Sequence, residues 1–343
     1  MIDLTYLAPG RPGLLIPATE IIYNHSTKEL SNARVTVEAP YRASIATDAL
    51  FDLSSAYWGL GKHQISSVRH SAYSSIYELV AVPHWSDIKD ISQNWNFSNI
   101  KLDATLNSLM EGWGIDWKLI VPAVNVNYTG TESSYSVVRT LLSRFGLNMV
   151  VEDGKITIAD EKFLNDRPPA ATFTPENIRI KELSDNSNYA YWAIDYTYNW
   201  LGGSKTVRVM DVFKSLKVLT LKKILSYTST TLIETPIEAF FQAYKQLQKA
   251  NNQSFTGSLV VLGDKKFHSL NNIALSGFDI LDGKYRILEA EHNWSGSEIY
   301  KTTLSVERIF ERESGWSYED YANLLLSGAV NLFTGLPGLL SWT

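Results

Sequence analysis

The sequence predicts an α+β chain that is mostly β, laid out as a β-rich part, a small helical unit and a second β-rich part. Three observations carry this. The chain holds 10 Trp, 18 Tyr and 13 Phe, an aromatic content suited to pleated sheets and protein interfaces. Period-two alternation between Gly and Pro punctuation recurs on both sides of residues 91–160. Within that window the period changes to the helical one.

Residues 1–90 give short strands. Arg34-Val35-Thr36-Val37-Glu38 alternates and is closed by Pro40, and Tyr73 to Val82 is rich in β-formers. Pro9-Gly10-Arg11-Pro12-Gly13 and Gly59-Leu60-Gly61 are loops. This part is a small β barrel or sandwich. Leu102, Leu106, Leu109, Met110 and Trp113 then recur at helical spacing. A second helix carries Val138, Leu141, Leu142 and Phe145, with Ser133 or Ser134 as N-cap and Gly146 as its stop. Asp153-Gly154 between Met149-Val150-Val151 and Lys155-Ile156-Thr157-Ile158 is a hairpin signal, because both turn positions need positive φ. Arg167-Pro168-Pro169-Ala170 is a stiff connector. Strands at Tyr189–Tyr198 and Lys205–Phe213 flank Leu201-Gly202-Gly203-Ser204, and a helix runs from Pro236 to Asn251. Strands at Ser258–Val261, Tyr285–His292 and Ile299–Glu307 follow, then a short helix from Tyr318 to Leu326 and an apolar tail.

The 343 residues suffice for two or three domains at about 150 residues each. Net charge is −5 and Cys is absent. The first argues against a dedicated nucleic-acid binder, which needs a clustered Lys/Arg surplus. The second excludes disulfides, thiolate metal sites and a cysteine nucleophile. Met1-Ile2-Asp3-Leu4 carries an acid where a signal peptide is basic. The apolar region Leu324–Leu340 is interrupted by Ser327, Gly328, Asn331, Thr334, Gly335, Pro337 and Gly338, so no membrane span is expected.

Catalytic templates are missing. There is no His-Glu-x-x-His, Gly-x-Ser-x-Gly or Gly-x-x-x-x-Gly-Lys. Gly59-Leu60-Gly61-Lys62 lacks the third glycine and the following helix of a dinucleotide loop. Six histidines, at 25, 63, 70, 84, 268 and 292, show no metal spacing and read as separate surface or partly buried rings. Asp116 between Trp113 and Trp117 could hold a sugar, but Trp113 lies on the apolar face of the first helix, which favours core packing. The Asn-x-Ser/Thr triplets at Asn24, Asn96, Asn127, Asn252 and Asn293 would matter only in a secreted eukaryotic protein. No catalytic residue, metal or cofactor is expected.

Two stretches are distinctive. The first runs Trp85-Ser86-Asp87-Ile88, Ile100-Lys101-Leu102-Asp103-Ala104-Thr105-Leu106, Phe145-Gly146-Leu147 and Glu152-Asp153-Gly154-Lys155-Ile156. The second runs Gln248-Lys249-Ala250-Asn251, Thr256-Gly257-Ser258-Leu259, Gly263-Asp264, Ile273-Ala274-Leu275-Ser276-Gly277-Phe278, Leu281-Asp282-Gly283-Lys284-Tyr285-Arg286-Ile287 and Glu291-His292. In order and spacing they resemble the phage late control gene D family, the baseplate hub proteins of contractile tails. The resemblance covers most of residues 70–310. Its turn motifs fall on Gly257, Gly263, Asp264, Gly277, Phe278, Asp282, Gly283 and Tyr285, with Gly257, Gly263 and Gly283 expected to permit turns and Asp264 and Asp282 to cap them. Tyr285, Ile287 and Glu289 should share one strand face, and Arg286, Leu288 and Ala290 the other. Asn271-Asn272 stands where the family usually places a glycine; Asn tolerates positive φ and would keep that turn.

The resemblance implies two tube-like β barrels, 1–92 and 167–312, a small α+β domain at 93–166 between them, and a C-terminal helix and docking tail at 313–343. It implies a structural, non-enzymatic homotrimer in a virion tail baseplate or extracellular contractile particle, assembled in the bacterial cytoplasm. Its ring would adapt the six-fold tube to the three-fold spike. Expected partners are a separate central spike protein, the tail tube or tube-initiator protein, the tape measure protein and other baseplate proteins, with no specific nucleic-acid binding. The apolar tail, through Leu332, Phe333, Leu336, Leu339, Leu340 and Trp342, is expected to dock on a neighbouring subunit. The rivals are a cell-wall or polysaccharide hydrolase at Asp116 and a carbohydrate-binding module using Trp58, Trp85 or Trp95.

Overall fold

A computed structural model describes residues 2–7, 14–26, 32–38, 50–52, 62–70, 76–83, 88–152, 155–185, 191–200, 203–210, 223–233, 235–252, 255–295, 299–309 and 340–342. The N-terminal part consists of β1 (Ile2–Leu7), β2 (Leu14–Ser26), β3 (Asn32–Glu38), β4 (Leu50–Asp52), β5 (Lys62–His70) and β6 (Ile76–Pro83). All pair antiparallel, and following the pairings from β1 through β4, β5, β6, β3 and β2 leads back to β1. Alternation explains the inside. Ala33, Val35 and Val37 of β3 are fully buried and meet Ala81 and Leu79 of β6 and Ile21 of β2, while Arg34 points out to Glu78.

The middle part contains β7 (Ser92–Lys101), α1 (Leu102–Met110), β8 (Asp116–Ile120), β9 (Asn125–Ser133), α2 (Ser134–Arg144), β10 (Asn148–Glu152), β11 (Lys155–Ala159) and α3 (Glu161–Asp166). The apolar stripe of α1 buries Leu102, Leu106, Leu109 and Met110. At the start of α2, Ser133 accepts from the Ser136 N–H, and at its end Gly146 takes φ +66°. The expected hairpin is β10–β11, with Glu152 opposite Lys155; Asp153 and Gly154 lie outside the described residues. β8 adds parallel to β11, and β7 pairs with β9. β7 and β9 carry no apolar period in the sequence, because most of their side chains are polar and exposed.

The remaining elements are β12 (Thr172–Phe173), β13 (Arg179–Asp185), β14 (Ala193–Trp200), β15 (Gly203–Met210), β16 (Ile224–Leu232), α4 (Pro236–Asn252), β17 (Phe255–Leu262), β18 (Asn272–Leu275), β19 (Gly283–Ser295), β20 (Lys301–Ile309) and β21 (Leu340–Trp342). They form two sheets. β16, β14, β15 and β21 make one, with α4 packed on β14 and β15. Its apolar face joins the core of the middle part: Phe241 of α4 meets Phe145 edge-on at 6.4 Å, and Ile194, Tyr196 and Val207 share a core with Leu106, Val138 and Leu142. One core therefore runs across the boundary expected at residues 166/167. The cause is α4, which buries Ala239, Phe240, Phe241, Ala243 and Leu247 between its own sheet and α2.

The second sheet runs β12–β18–β19–β20–β17–β13, and its two end strands do not pair with each other among the described residues. It is fused to the N-terminal circuit. β2 pairs with β1 through Leu14–Ala18, with β3 through Ala18–Asn24 and with β19 through Glu20–Ser26, giving one sheet of 12 strands. The pairings thus make one circuit and one open ladder sharing β2, and the second barrel expected at 167–312 is not closed among the described residues.

One local expectation is corrected, and one end strand is located. A bulge between Ile287 and Glu289 shifts β19 against β20, so Tyr285, Ile287 and Ala290 are the residues buried in one core and Glu289 faces outward. Leu340–Trp342, expected at a subunit boundary, pair with Val207–Val209 of the same chain. Leu332, Phe333, Leu336, Leu339 and the helix expected at Tyr318–Leu326 lie outside the described residues.

Candidate functional site at the seam between the two ladders

The β2–β19 pairing places Tyr23 opposite His292 and His25 opposite Ala290. β5 supplies His63, and the loop between β17 and β18 supplies His268 and Ser269. Four histidines thereby gather near Tyr23, whose ring lies 6.1 Å from His25, 5.7 Å from His63 and 6.3 Å from His292; His268 lies 5.6 Å from His25. No sequence signal marks this group, since its members come from β2, β5, β19 and a loop. Of the other two, His70 lies on β5 and His84 falls outside the described residues. Among the described residues no group of three or more His, Asp or Glu is arranged to hold a metal ion.

Hydrogen bonds fix the tautomers. His25 donates from Nε2 to the Val151 carbonyl at 3.0 Å and accepts at Nδ1 from the Ser269 hydroxyl at 2.5 Å and its N–H at 3.3 Å. One neutral ring thus ties β2 to β10 and to the β17–β18 loop. His292 donates from Nε2 to the Phe267 carbonyl at 2.7 Å and accepts at Nδ1 from Tyr300 at 2.7 Å and Thr302 at 3.0 Å. Burial, then the neighbouring His268, holds His25 down to about 3. Burial, then the His25 and His268 rings, holds His292 down to about 4 against the pull of the Phe267 carbonyl. Both rings are neutral connectors at pH 7.

The residues expected to form turns lie on β17, β19 and the segments between them, and two of them act otherwise than expected. Gly257 lies inside β17, not in a turn; a Cβ there would sit 2.3 Å from Leu183 Cδ2 and 2.7 Å from the Glu182 carbonyl oxygen of β13. Gly263 allows Tyr300 to lie over the backbone, where a Cβ would be 2.2 Å from the ring, and so lets that ring reach His292. Asp264 accepts from the Lys266 N–H, and Asp282 accepts from the N–H groups of Gly277 and Phe278, as expected of turn caps. Gly277 and Gly283 take φ +85° and +150°. Phe278 packs against the core that buries Tyr285, and the Tyr285 hydroxyl donates to the Leu281 carbonyl at 2.8 Å. Gly257→Ala is expected to destabilise the chain by about 1–3 kcal/mol through overpacking, read as a lower urea midpoint at unchanged slope; an unchanged midpoint would show that β13 yields freely.

Asn272 also works differently. The left-handed residue in this loop is Leu270, with φ +66°. Asn272 instead opens β18, fully buried, and donates to the carbonyls of Leu164 at 2.7 Å and Arg167 at 2.9 Å, anchoring the end of α3. Beside it, Arg286 of β19 binds Glu161 and Asn165 of the same helix and lies 4.0 Å from Glu307. Asn252 of α4 donates to Glu307 at 3.3 Å. Burial pushes the Glu307 carboxyl up to about 7, with Arg286 opposing. Arg144 and Glu238, paired at 2.6 Å, join α2 to α4.

The residues weighed for sugar chemistry do not converge. Trp113 is buried and donates to the Ser134 hydroxyl at 3.0 Å, Asp116 is exposed at the start of β8, and Trp117 donates to Asn107 at 2.8 Å. Trp95 stacks on Phe97 and donates to the Glu132 carbonyl. Trp58 and Trp85 lie outside the described residues. No helix among the described residues is long and apolar enough to cross a membrane.

This arrangement is the fold of phage tail proteins. A tail protein from Neisseria meningitidis superposes with a TM-score of 0.65 at 16% identity, covering 93% of this chain and 98% of that one. A prophage tail protein from Shewanella oneidensis gives 0.65 at 13% identity over 90% and 98% of the two chains. An Escherichia coli component of the type VI secretion system, itself similar in structure to T4 bacteriophage tail proteins, gives 0.55 at 13% identity over 91% and 79%. At these identities the likeness is one of fold. No protein-family model and no curated protein sequence matches the chain.

Proposed function

We propose that this chain is a structural baseplate hub of a contractile tail or injection particle, forming a trimeric ring between the six-fold tube and the three-fold spike. The observation that carries the reading is the likeness to tail proteins over at least 90% of the chain. The six-strand circuit and the fused second ladder support two tube-like units per chain, so that three chains would present six. His25 and His292, each bonded at both ring nitrogens, then act as rigid joints between these units. Function is mechanical: the seam, the shared core and the Arg286 network hold the units at one angle, and closed symmetry does the rest. The proposed domains remain 1–92, 93–166, 167–312 and 313–343, with the middle part and the β14–β16 sheet sharing a core. The apolar tail, including Leu332, Phe333, Leu336 and Leu339, is assigned to contacts between copies or with the spike, beyond its end strand on β15.

Mass photometry of the full chain co-expressed with its spike protein is expected to show three copies of each. Deleting residues 328–343 is expected to weaken that assembly while the subunit stays folded, its far-UV spectrum changed by no more than the loss of the three-residue β21. A monodisperse monomer with the spike present would sink the hub reading. Loss of cell-wall turbidity that disappears in Asp116→Ala would replace it with a hydrolase.

A further inference from the structure

A cavity of about 450 Å³ opens beside the seam, bounded by α2, α3, α4, β19 and β20. That volume is within the usual range for small-ligand sites, and junctions between units are where such sites concentrate. Its apolar side is formed by Leu142, Leu147, Met149, Leu270 and Leu288. Its polar side carries four cations, Arg139, Lys245, Lys249 and Arg286, and two carboxylates, Glu161 and Glu307.

The charges do not cancel. Arg286 is already matched by Glu161, and burial pushes the Glu307 carboxyl beside it up to about 7, so that it carries about half a charge at pH 7. Arg139 and Lys249 are exposed at the rim with no carboxylate within 4 Å among the described residues. Lys245 lines the same cavity, one turn before Lys249 on α4. An ammonium has three donors, and the bond it makes among the described residues is one of 3.3 Å to the Leu147 carbonyl. Burial lowers its proton affinity; Arg139 and Lys249 lower it further, and Glu161 alone opposes. The Nε–H of Arg286 is buried without an acceptor among the described residues. A cationic wall with unused donors facing an aliphatic wall is complementary to one kind of ligand.

We propose that this cavity binds a carboxylate carried on a short aliphatic body, its anionic end on Lys245 and Arg139 and its chain against Leu142, Leu147 and Leu270. An inorganic anion would leave the apolar wall unused, and a neutral aliphatic would leave Lys245 unpaired. The same chemistry is offered by a free organic acid and by an acidic residue of a neighbouring protein next to an aliphatic one.

The test is calorimetric titration of the full chain, at matched ionic strength, with hexanoate, N-acetyl-leucyl-glutamate and hexanol. Hexanoate and the dipeptide are expected to bind and hexanol to bind at least tenfold more weakly. Tighter binding of the dipeptide assigns the site to a protein partner; tighter binding of hexanoate assigns it to a free acid. Lys245→Met and Arg139→Gln should each weaken carboxylate binding about tenfold or more, the worth of one charge-assisted hydrogen bond. Arg139 is at the rim, so its variant tests the site even if Lys245→Met does not fold. Equal affinity for all three compounds, or unaltered carboxylate binding by a folded Arg139→Gln, overturns the proposal.

Discussion

Arg286→Met is expected to lower the stability of the chain by about 3–5 kcal/mol, the usual cost of removing one partner from a buried charge network. The Arg286 side chain is 3% exposed and stands between Glu161 and Glu307, both on other elements. Without it, the buried Glu307 carboxyl is left near the half-buried Glu161 carboxylate at the start of α3, and the anchor between that helix and β19 loses Asn165 as well. The loss should grow with pH. Glu307 binds its proton more tightly in the folded chain than in the unfolded one, where 4.5 is the ordinary value. Its favourable contribution is therefore complete below about 4.5 and fades as pH rises through about 7. Urea unfolding at pH 6 and pH 8 checks this, with the larger decrease in midpoint at pH 8. Adding Glu161→Gln to Arg286→Met should restore part of the loss, because it removes one orphaned charge. A decrease under 1 kcal/mol at both pH values, on the order of an exposed ion pair, would mean that water reaches the network.

The second large effect is acid lability. His25 and His292 have folded-state values of about 3 and about 4, below the ordinary 6.5. Depressed values mean that the unfolded chain takes up protons first. The stability they confer is present above 6.5 and is lost as pH falls toward those folded values. Between pH 7 and pH 5 each ring should cost about 2 kcal/mol, while Glu307 gains a comparable amount over the same interval. The wild type is therefore expected to lose about 2 kcal/mol net. In the double variant His25→Gln with His292→Gln, the amide keeps a donor for Val151 or Phe267 and an acceptor for Ser269 or Tyr300, but binds no proton. Its stability should then rise from pH 7 to pH 5, reversing the sign seen in the wild type. Parallel pH profiles for the two proteins would show that the rings are solvated.

Local elements were legible in the sequence and remote ones were not. The α1 stripe, the Ser133 cap, Gly146 and the β10–β11 hairpin are written in residues a few positions apart, and each is found where periodicity and capping put it. The polar alternation of Ser92-Gln93-Asn94 carries no apolar period, so β7 gave no signal. α4 was legible as a helix, but the burial of residues on more than one of its sides, which gives both sides of 166/167 a common core, depends on partners near residues 138–145 and 194–207. The bulge at Leu288 moves Glu289 off the buried face, and strict alternation cannot anticipate it. The glycine and asparagine positions singled out in the sequence have reasons that lie far away along the chain. Gly257 is needed for a neighbouring strand, and Asn272 for the end of a helix. The seam histidines and the cavity cations are drawn from elements far apart in the chain, and spacing is silent about both.

The pairing of β2 with β19 has a consequence for how the chain is made. Ser26 and Glu289 are 263 positions apart. At about 5–20 residues per second on the ribosome, the second half of β2 waits tens of seconds for the strand that will cover it. During that interval it presents an open edge lined by unpaired N–H and C=O groups, with Tyr23 and His25 beside it, to every other nascent copy nearby. Production of this protein is then limited less by the stability of the finished fold than by the time its first long strand spends unaccompanied. Slower initiation or lower temperature at the same total yield should leave more of it soluble.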